Sequence, residues 1–251
     1  MSHDLESLIS DWPFSDDDEI ENVRLITGLD GQEKIQIRIP CGLLQWEVDG
    51  RPDGERPRGH ESFLEYLEDE LLQGRWPSLD QSSKDELNQE IMAYYARRVA
   101  FFRLSEFDRA KRDAEHNLQI MNLVRAHSDD DEFIEEHEKW RPFLLMDLTR
   151  ATALGEAKRE RFIEAIDSIN DGIERIRNIY EGEFEATGDA QELRALEDLK
   201  FYLRETHDLG LTPRELIQTL EDEKSLAIEE EDFERASELN QRIKTLQESQ
   251  S

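Results

Sequence analysis

The side chains best suited to chemistry gather in one short stretch: His127, Asp129, Asp130, Asp131 and His137. Imidazoles and carboxylates this close are the donor set of a divalent metal. Their spacing argues against a strong site, since no His-Glu-x-x-His segment places two imidazoles on one helix face. An Asp-rich run also suits a helix N-terminus, where it meets the positive end of the macrodipole. That reading predicts no metal and no cofactor. The chain has no Walker loop, no Gly-x-Gly-x-x-Gly and no Gly-x-Ser-x-Gly. Its 61 acidic residues supply many carboxylate pairs, but on exposed helices these are solvated faces. His60 reads as a first-turn surface residue. Room for catalysis is left by a site between strands and helices, around Arg38, Trp46 and Arg51.

A different spacing recurs. Phe-x-x-Ala occurs at Phe107 to Ala110, Phe162 to Ala165 and Phe233 to Ala236. Each Phe stands at the start of a second helix, where a bulky side chain folds back onto the first. The Ala three positions on shares that face and lets two backbones approach closely. Three helix–turn–helix units are therefore expected, none catalytic. In the third, Phe233 is expected to pack between Ala227 or Ile228 and Ala236 and so hold the unit together.

The elements that position these units follow from pattern. Residues 1–21 form an acidic tail, expected to be mobile, although Leu5, Leu8, Ile9, Trp12 and Phe14 suit a short docked helix. Residues 22–59 carry a three-stranded β-meander and a turn-rich loop, with Asp30-Gly31 as a hairpin signal and Ile35, Ile37 and Ile39 alternating after it. Three short strands need helices against one face. Residues 60–207 read as a helical, repeat-like domain, in which Pro142 either kinks a helix or opens the next. After a linker at 208–212, expected to be an accessible cleavage boundary, Thr212, Pro213 and Glu215 have the order of a capping box. A helical hairpin is expected over 213–247. The fold class is mainly α: a small N-terminal antiparallel meander, a helical tetratricopeptide-like body and a C-terminal antiparallel hairpin.

Composition narrows the function. The formal net charge of the 251 residues is -30, which opposes direct nucleic-acid binding. The basic cluster Arg97, Arg98, Arg103, Arg109, Lys111 and Arg112 is interleaved with acids and reads as a solvated helix face. No apolar run approaches the roughly 20 residues of a membrane span, and the segment MSHDLESLISDW is not a leader, so no membrane partner and a cytoplasmic location are expected. The single cysteine, Cys41, allows no internal disulfide.

Two resemblances add to this reading. Tyr94, Phe101, Phe107 and Ala110, and then Ala153, Phe162 and Ala165, resemble degenerate tetratricopeptide repeats. The segment LIQTLEDEKSLAIEEEDFERASELNQRIKTL resembles the UVR motif shared by the UvrB and UvrC excision-repair proteins and by regulators of Clp proteases. Leu220, Ala227, the acidic turn ending at Asp232, Phe233-Glu234, Ala236, Leu239, Ile243 and Leu246 carry the match; Lys224 and Asn240-Gln241 depart from it. The resemblance implies an antiparallel hairpin for protein–protein contact, with Leu216, Leu220, Ala227, Phe233, Ala236, Leu239, Asn240, Ile243 and Leu246 as the partner-binding set. UvrB/UvrC-type proteins, Clp-type proteins or a second copy of the chain are the implied partners. A non-catalytic adaptor is the expected function. The alternative is an accessory factor in nucleotide excision repair that touches DNA only through the repair proteins.

Overall fold

The structure, a computed structural model, describes residues 5–16, 22–75, 79–183 and 190–248. A helical turn, α1 (Glu6–Ile9), precedes the strands β1 (Val23–Thr27), β2 (Glu33–Ile39) and β3 (Gly42–Glu47). They form an antiparallel sheet in the order β1-β2-β3, with Ile35 opposite Leu25 on one side and Trp46 on the other. Gly31, at φ 78°, makes the first turn. The helices α2 (Phe63–Leu72), α3 (Gln81–Arg103), α4 (Phe107–His127), α5 (Asp131–Glu138), α6 (Arg141–Lys158), α7 (Phe162–Glu183), α8 (Gln191–His207), α9 (Pro213–Glu229) and α10 (Phe233–Glu248) follow.

Local chemistry sets the helix starts. The Ser62, Asp80 and Asp130 side chains accept from backbone amides three residues on, and Thr212 and Glu215 form a full capping box. Pro142 begins α6 in its first turn, where its missing N–H costs nothing.

Of the acidic segment, residues 5–16 lie against the meander rather than free. The Arg38 guanidinium donates to the Trp12 carbonyl at 2.9 Å, Arg24 stands 3.9 Å above the Trp12 ring, and Ser15 and Asn22 exchange hydrogen bonds. The acidic run at 17–21 lies outside the described residues.

One face of the meander, through Val23, Ile35 and Val48, packs on Ala100, Phe101, Ala110 and Ala151 of the body. Here the basic cluster departs from expectation, for Arg97 and Arg98 are fully buried. Arg97 grips the Asp113 carboxylate through two bonds of 2.7 and 2.8 Å, and its third nitrogen donates to the carbonyls of Glu47 and Gly50. Arg98 pairs with Asp147 at 2.9 Å. Matched carboxylates make this burial tolerable, and bidentate geometry fixes the sheet's exit on α3 and α4. Arg112 reinforces it from the Val48 carbonyl and Asp49.

A second core fills the space among α6, α7 and α8, with Ala153, Ala165, Ile166, Ile169, Ile176 and Leu196 buried. α6 and α7 approach so closely that a Cβ at Gly172 would stand 2.4 Å from the Thr149 methyl. The two helix pairs α3–α4 and α6–α7 are separated by α5, which is why their alanines lie further apart than adjacent repeats of about 34 residues.

Candidate interaction site

The three Phe-x-x-Ala units share one connection. Before each Phe, a residue in the left-handed region ends the preceding helix: Ser105 (φ 56°), Glu160 (φ 61°) and Glu231 (φ 59°). The next amide, on Glu106, Arg161 or Asp232, then donates back to the carbonyl of Phe101, Glu156 or Ala227, at 2.8–3.0 Å. This is Schellman closure, which satisfies carbonyls that the helix end leaves free. Ala110, Ala165 and Ala236 are all buried, as close helix approach requires.

The phenylalanines differ. Phe107 lies beside Phe102 and Gly155, under the Lys158 ammonium, so α6 covers it as a third element. Phe162 stacks on His207 of α8 with ring centroids 3.8 Å apart. Phe233 is 67% exposed, and Ile228 and Leu226 beside the turn are half exposed or more. The expected packing of Phe233 between Ala227 or Ile228 and Ala236 is therefore corrected. Two helices alone offer no wall outside their mutual contact, and in the other two units that wall comes from a third helix.

The remaining residues of the expected binding set lie in other places. Leu220, Ala227, Ala236, Leu239 and Ile243 are buried between α9 and α10, with Leu216 and Leu246 partly buried beside them. They join the two helices. Asn240 is half-buried. The exposed apolar residues Leu226 and Ile228, the latter expected only as a packing neighbour of Phe233, lie outside the expected binding set because they fall off the helical stripe, and a stripe reports only where two helices meet. Around them Glu229, Glu230, Glu231, Asp232 and Glu234 form an exposed acidic collar.

The base of the hairpin is held differently. Thr212 is fully buried, and its hydroxyl donates to Asp167 at 2.9 Å. The Glu215 carboxylate accepts from the Thr212 amide at 2.8 Å and from Asn170 at 3.0 Å, and it pairs with Arg204. Arg214 pairs with Asp171. Burial pushes the Glu215 carboxyl upward, but these hydrogen bonds and the Arg204 charge outweigh it and hold the group below its ordinary value of 4.5. Leu209 packs on the α6–α8 core, so the 208–212 segment is held to the body near both ends, with Gly210 and Leu211 exposed between them. About 25 Å of α9 rises from this base to the tip, at 1.5 Å per residue over 17 residues.

The other candidate groups are engaged in the structure of the body. Asp130 caps α5, and the Lys84 ammonium beside it holds its carboxyl below the usual carboxylate range. His137 meets the Phe133 carbonyl at 2.7 Å and Asn88 at 2.9 Å. Among the described residues, no three His, Cys, Asp or Glu side chains are grouped to hold a metal. Arg38, Trp46 and Arg51 do not converge: Arg38 binds carbonyls of Trp12 and Gly42, Trp46 packs on the meander core, and Arg51 reaches Asp53 and Glu90. A cleft of about 340 Å³ beside the meander includes Arg51 but neither of the others. No helix among the described residues is long and apolar enough to cross a membrane.

Comparison with curated proteins and with solved structures returns no match to this chain. One family matches a part of it: residues 214–249, which span α9 and α10, match the UvrB/uvrC motif, UVR.

Proposed function

We propose that this chain is a non-catalytic, cytoplasmic adaptor that captures a protein partner with the tip of its UVR hairpin. The supporting observation is the uncovered Phe233. Equivalent phenylalanines in the body are each covered by a third helix, and in the hairpin that third element is to be supplied by a partner. The partner surface would present an apolar pocket for Phe233 rimmed by basic side chains, complementary to the acidic collar at 229–234. UvrB/UvrC-type proteins, Clp-type proteins and a second copy of the chain are the partner classes, with no direct contact to nucleic acid. The excision-repair alternative rests on the same motif match and differs in the partner captured.

The test uses purified UvrB, UvrC and a Clp-type ATPase, and a tagged second copy, against full-length wild type and Phe233→Ala. Because Phe233 is exposed, the variant should keep wild-type hydrogen exchange across 213–247. Capture should fall at least tenfold. Capture of UvrB or UvrC selects the repair reading, and capture of the ATPase or the second copy selects the others. Equal capture by wild type and variant would refute the tip as the docking site.

A further inference from the structure

A second candidate site lies in the body, far from the hairpin. Where α3, α4 and α6 meet there is a cavity of about 380 Å³, within the roughly 300–1,000 Å³ typical of small-molecule pockets. Its walls are mostly apolar and aromatic: Met92 and Tyr95 from α3, Met121 from α4, and Trp140, Phe143 and Leu144 from the start of α6. Phe143 stands 6.1 Å from Tyr95 and 6.5 Å from Trp140, ring centroid to centroid, so the three rings form a connected wall.

Two of the residues lining this apolar space each carry a buried polar atom that has no partner among the described residues. Arg98 is 2% exposed and Asn117 is 3% exposed, and the Arg98 Nη1 and Asn117 Oδ1 atoms are buried with no hydrogen-bond partner. The rest of each side chain is fixed. Arg98 Nε donates to Asp147 at 2.9 Å, and its guanidinium lies 5.2 Å over the Tyr95 ring. Asn117 Nδ2 donates to the Ile91 carbonyl at 3.0 Å, which leaves Oδ1 as the outstanding acceptor. Buried polar groups are nearly always paired, and an orphaned donor and an orphaned acceptor on two residues of one cavity wall are unusual in a folded chain. Water is a poor occupant here, because it needs several polar partners and the walls are chiefly hydrocarbon.

We propose that this cavity binds a small, uncharged aromatic molecule bearing an amide-like edge. Its carbonyl oxygen would accept from Arg98 Nη1, and its N–H would donate to Asn117 Oδ1. A carboxylate fits less well: its second oxygen would set a lone pair against Asn117 Oδ1, and Asp147 already neutralises Arg98. The aromatic body would lie among Tyr95, Phe143 and Trp140. Trp140 and Met92, both more than half exposed, form the mouth.

Equilibrium dialysis of the full-length chain against 2-naphthamide, 2-naphthoate and naphthalene tests this. The amide should bind saturably at one site, at least tenfold more tightly than the acid or the hydrocarbon. Asn117→Leu keeps the side chain's size and removes the acceptor, so it should reduce the preference for amide over naphthalene to within threefold while naphthalene still binds. Met92→Trp, at an exposed rim position that the fold tolerates, should weaken all binding at least tenfold. Partner capture through Phe233 should be unchanged in both variants, which separates this site from the hairpin. Absence of saturable amide binding, equal affinity for amide and naphthalene, or undiminished binding in Met92→Trp would overturn the proposal.

Discussion

Asp113 has no exposed surface, and both its oxygens are taken by Arg97, whose remaining nitrogen holds the Glu47 and Gly50 carbonyls. One residue thus ties α3, α4 and the sheet together. Removing one partner of such a pair leaves a charge buried without compensation, at a cost of about 3–5 kcal/mol. Asp113→Ala should lower unfolding stability by that amount in urea titrations. Lys111→Ala, which removes an exposed 3.7 Å pair with Glu115, should change it by less than about 0.5 kcal/mol. Similar losses in the two variants would show that the buried pair does not anchor the meander. Nothing in the local sequence announces this role. Arg ranks among exposed residues by composition, and the carboxylate that permits its burial stands a full helix away. Arg98 and Asp147, 49 positions apart, show the same difficulty.

At the level of elements, the sequence carried far more. Apolar periodicity marks residues 60–207 as helical, and the capping box places the start of α9, because a helix start is a local event: the Thr212 hydroxyl acts on an amide three residues away. The Phe-x-x-Ala units were legible as helix hairpins for the same reason. What the pattern does not encode is the number of neighbours a hairpin acquires. Phe107 and Phe233 sit at equivalent positions, yet α6 covers one and nothing among the described residues covers the other. The close contact of α6 with α7 is likewise a long-range fact. A Cβ at Gly172 would meet the Thr149 side chain at 2.2–2.8 Å, closer than any relaxed contact. Ala is the better helix former by about 1 kcal/mol, but overpacking a tight interface costs typically 1–3 kcal/mol. The packing term should win, because Thr149 is itself buried and has little room to yield. Gly172→Ala should therefore lower the thermal midpoint by a few degrees, at about 2–4 °C per kcal/mol for a chain of this size. A raised midpoint would mean that the helices separate freely and that propensity decides.

For the whole molecule, the main question is how a slender hairpin is joined to a strongly acidic body. Among the described residues, five cationic side chains are buried, Lys34, Arg38, Arg51, Arg97 and Arg98, against three carboxylates, Glu90, Asp113 and Asp147, so burial does not reduce the acidity of the surface below what the formal charge of -30 implies. Such a surface repels its own acidic hairpin, and the described polar links between them converge on Thr212, Arg214 and Glu215. Glu215 is central, since it serves both the capping box and the pairing with Arg204. Its folded-state proton affinity is depressed, so it stabilises the docked hairpin above the ordinary carboxylate value of 4.5. That contribution disappears as pH falls through the lower folded value, where the group takes up a proton. The segment 208–212 should accordingly resist proteases near neutral pH, although the sequence alone marks it as a cleavable linker. Glu215→Ala should expose it, with cleavage between 208 and 212 rising at least fivefold at pH 7. An acid-active protease should cut the wild type there progressively faster as pH drops from 5 to 3, while the variant, already released, shows little further change. Helical content over 60–207 should persist in both. Equal cleavage of wild type and variant at pH 7 would mean that the clamp does not hold the hairpin, and that Leu209 and the chain's own geometry position it instead.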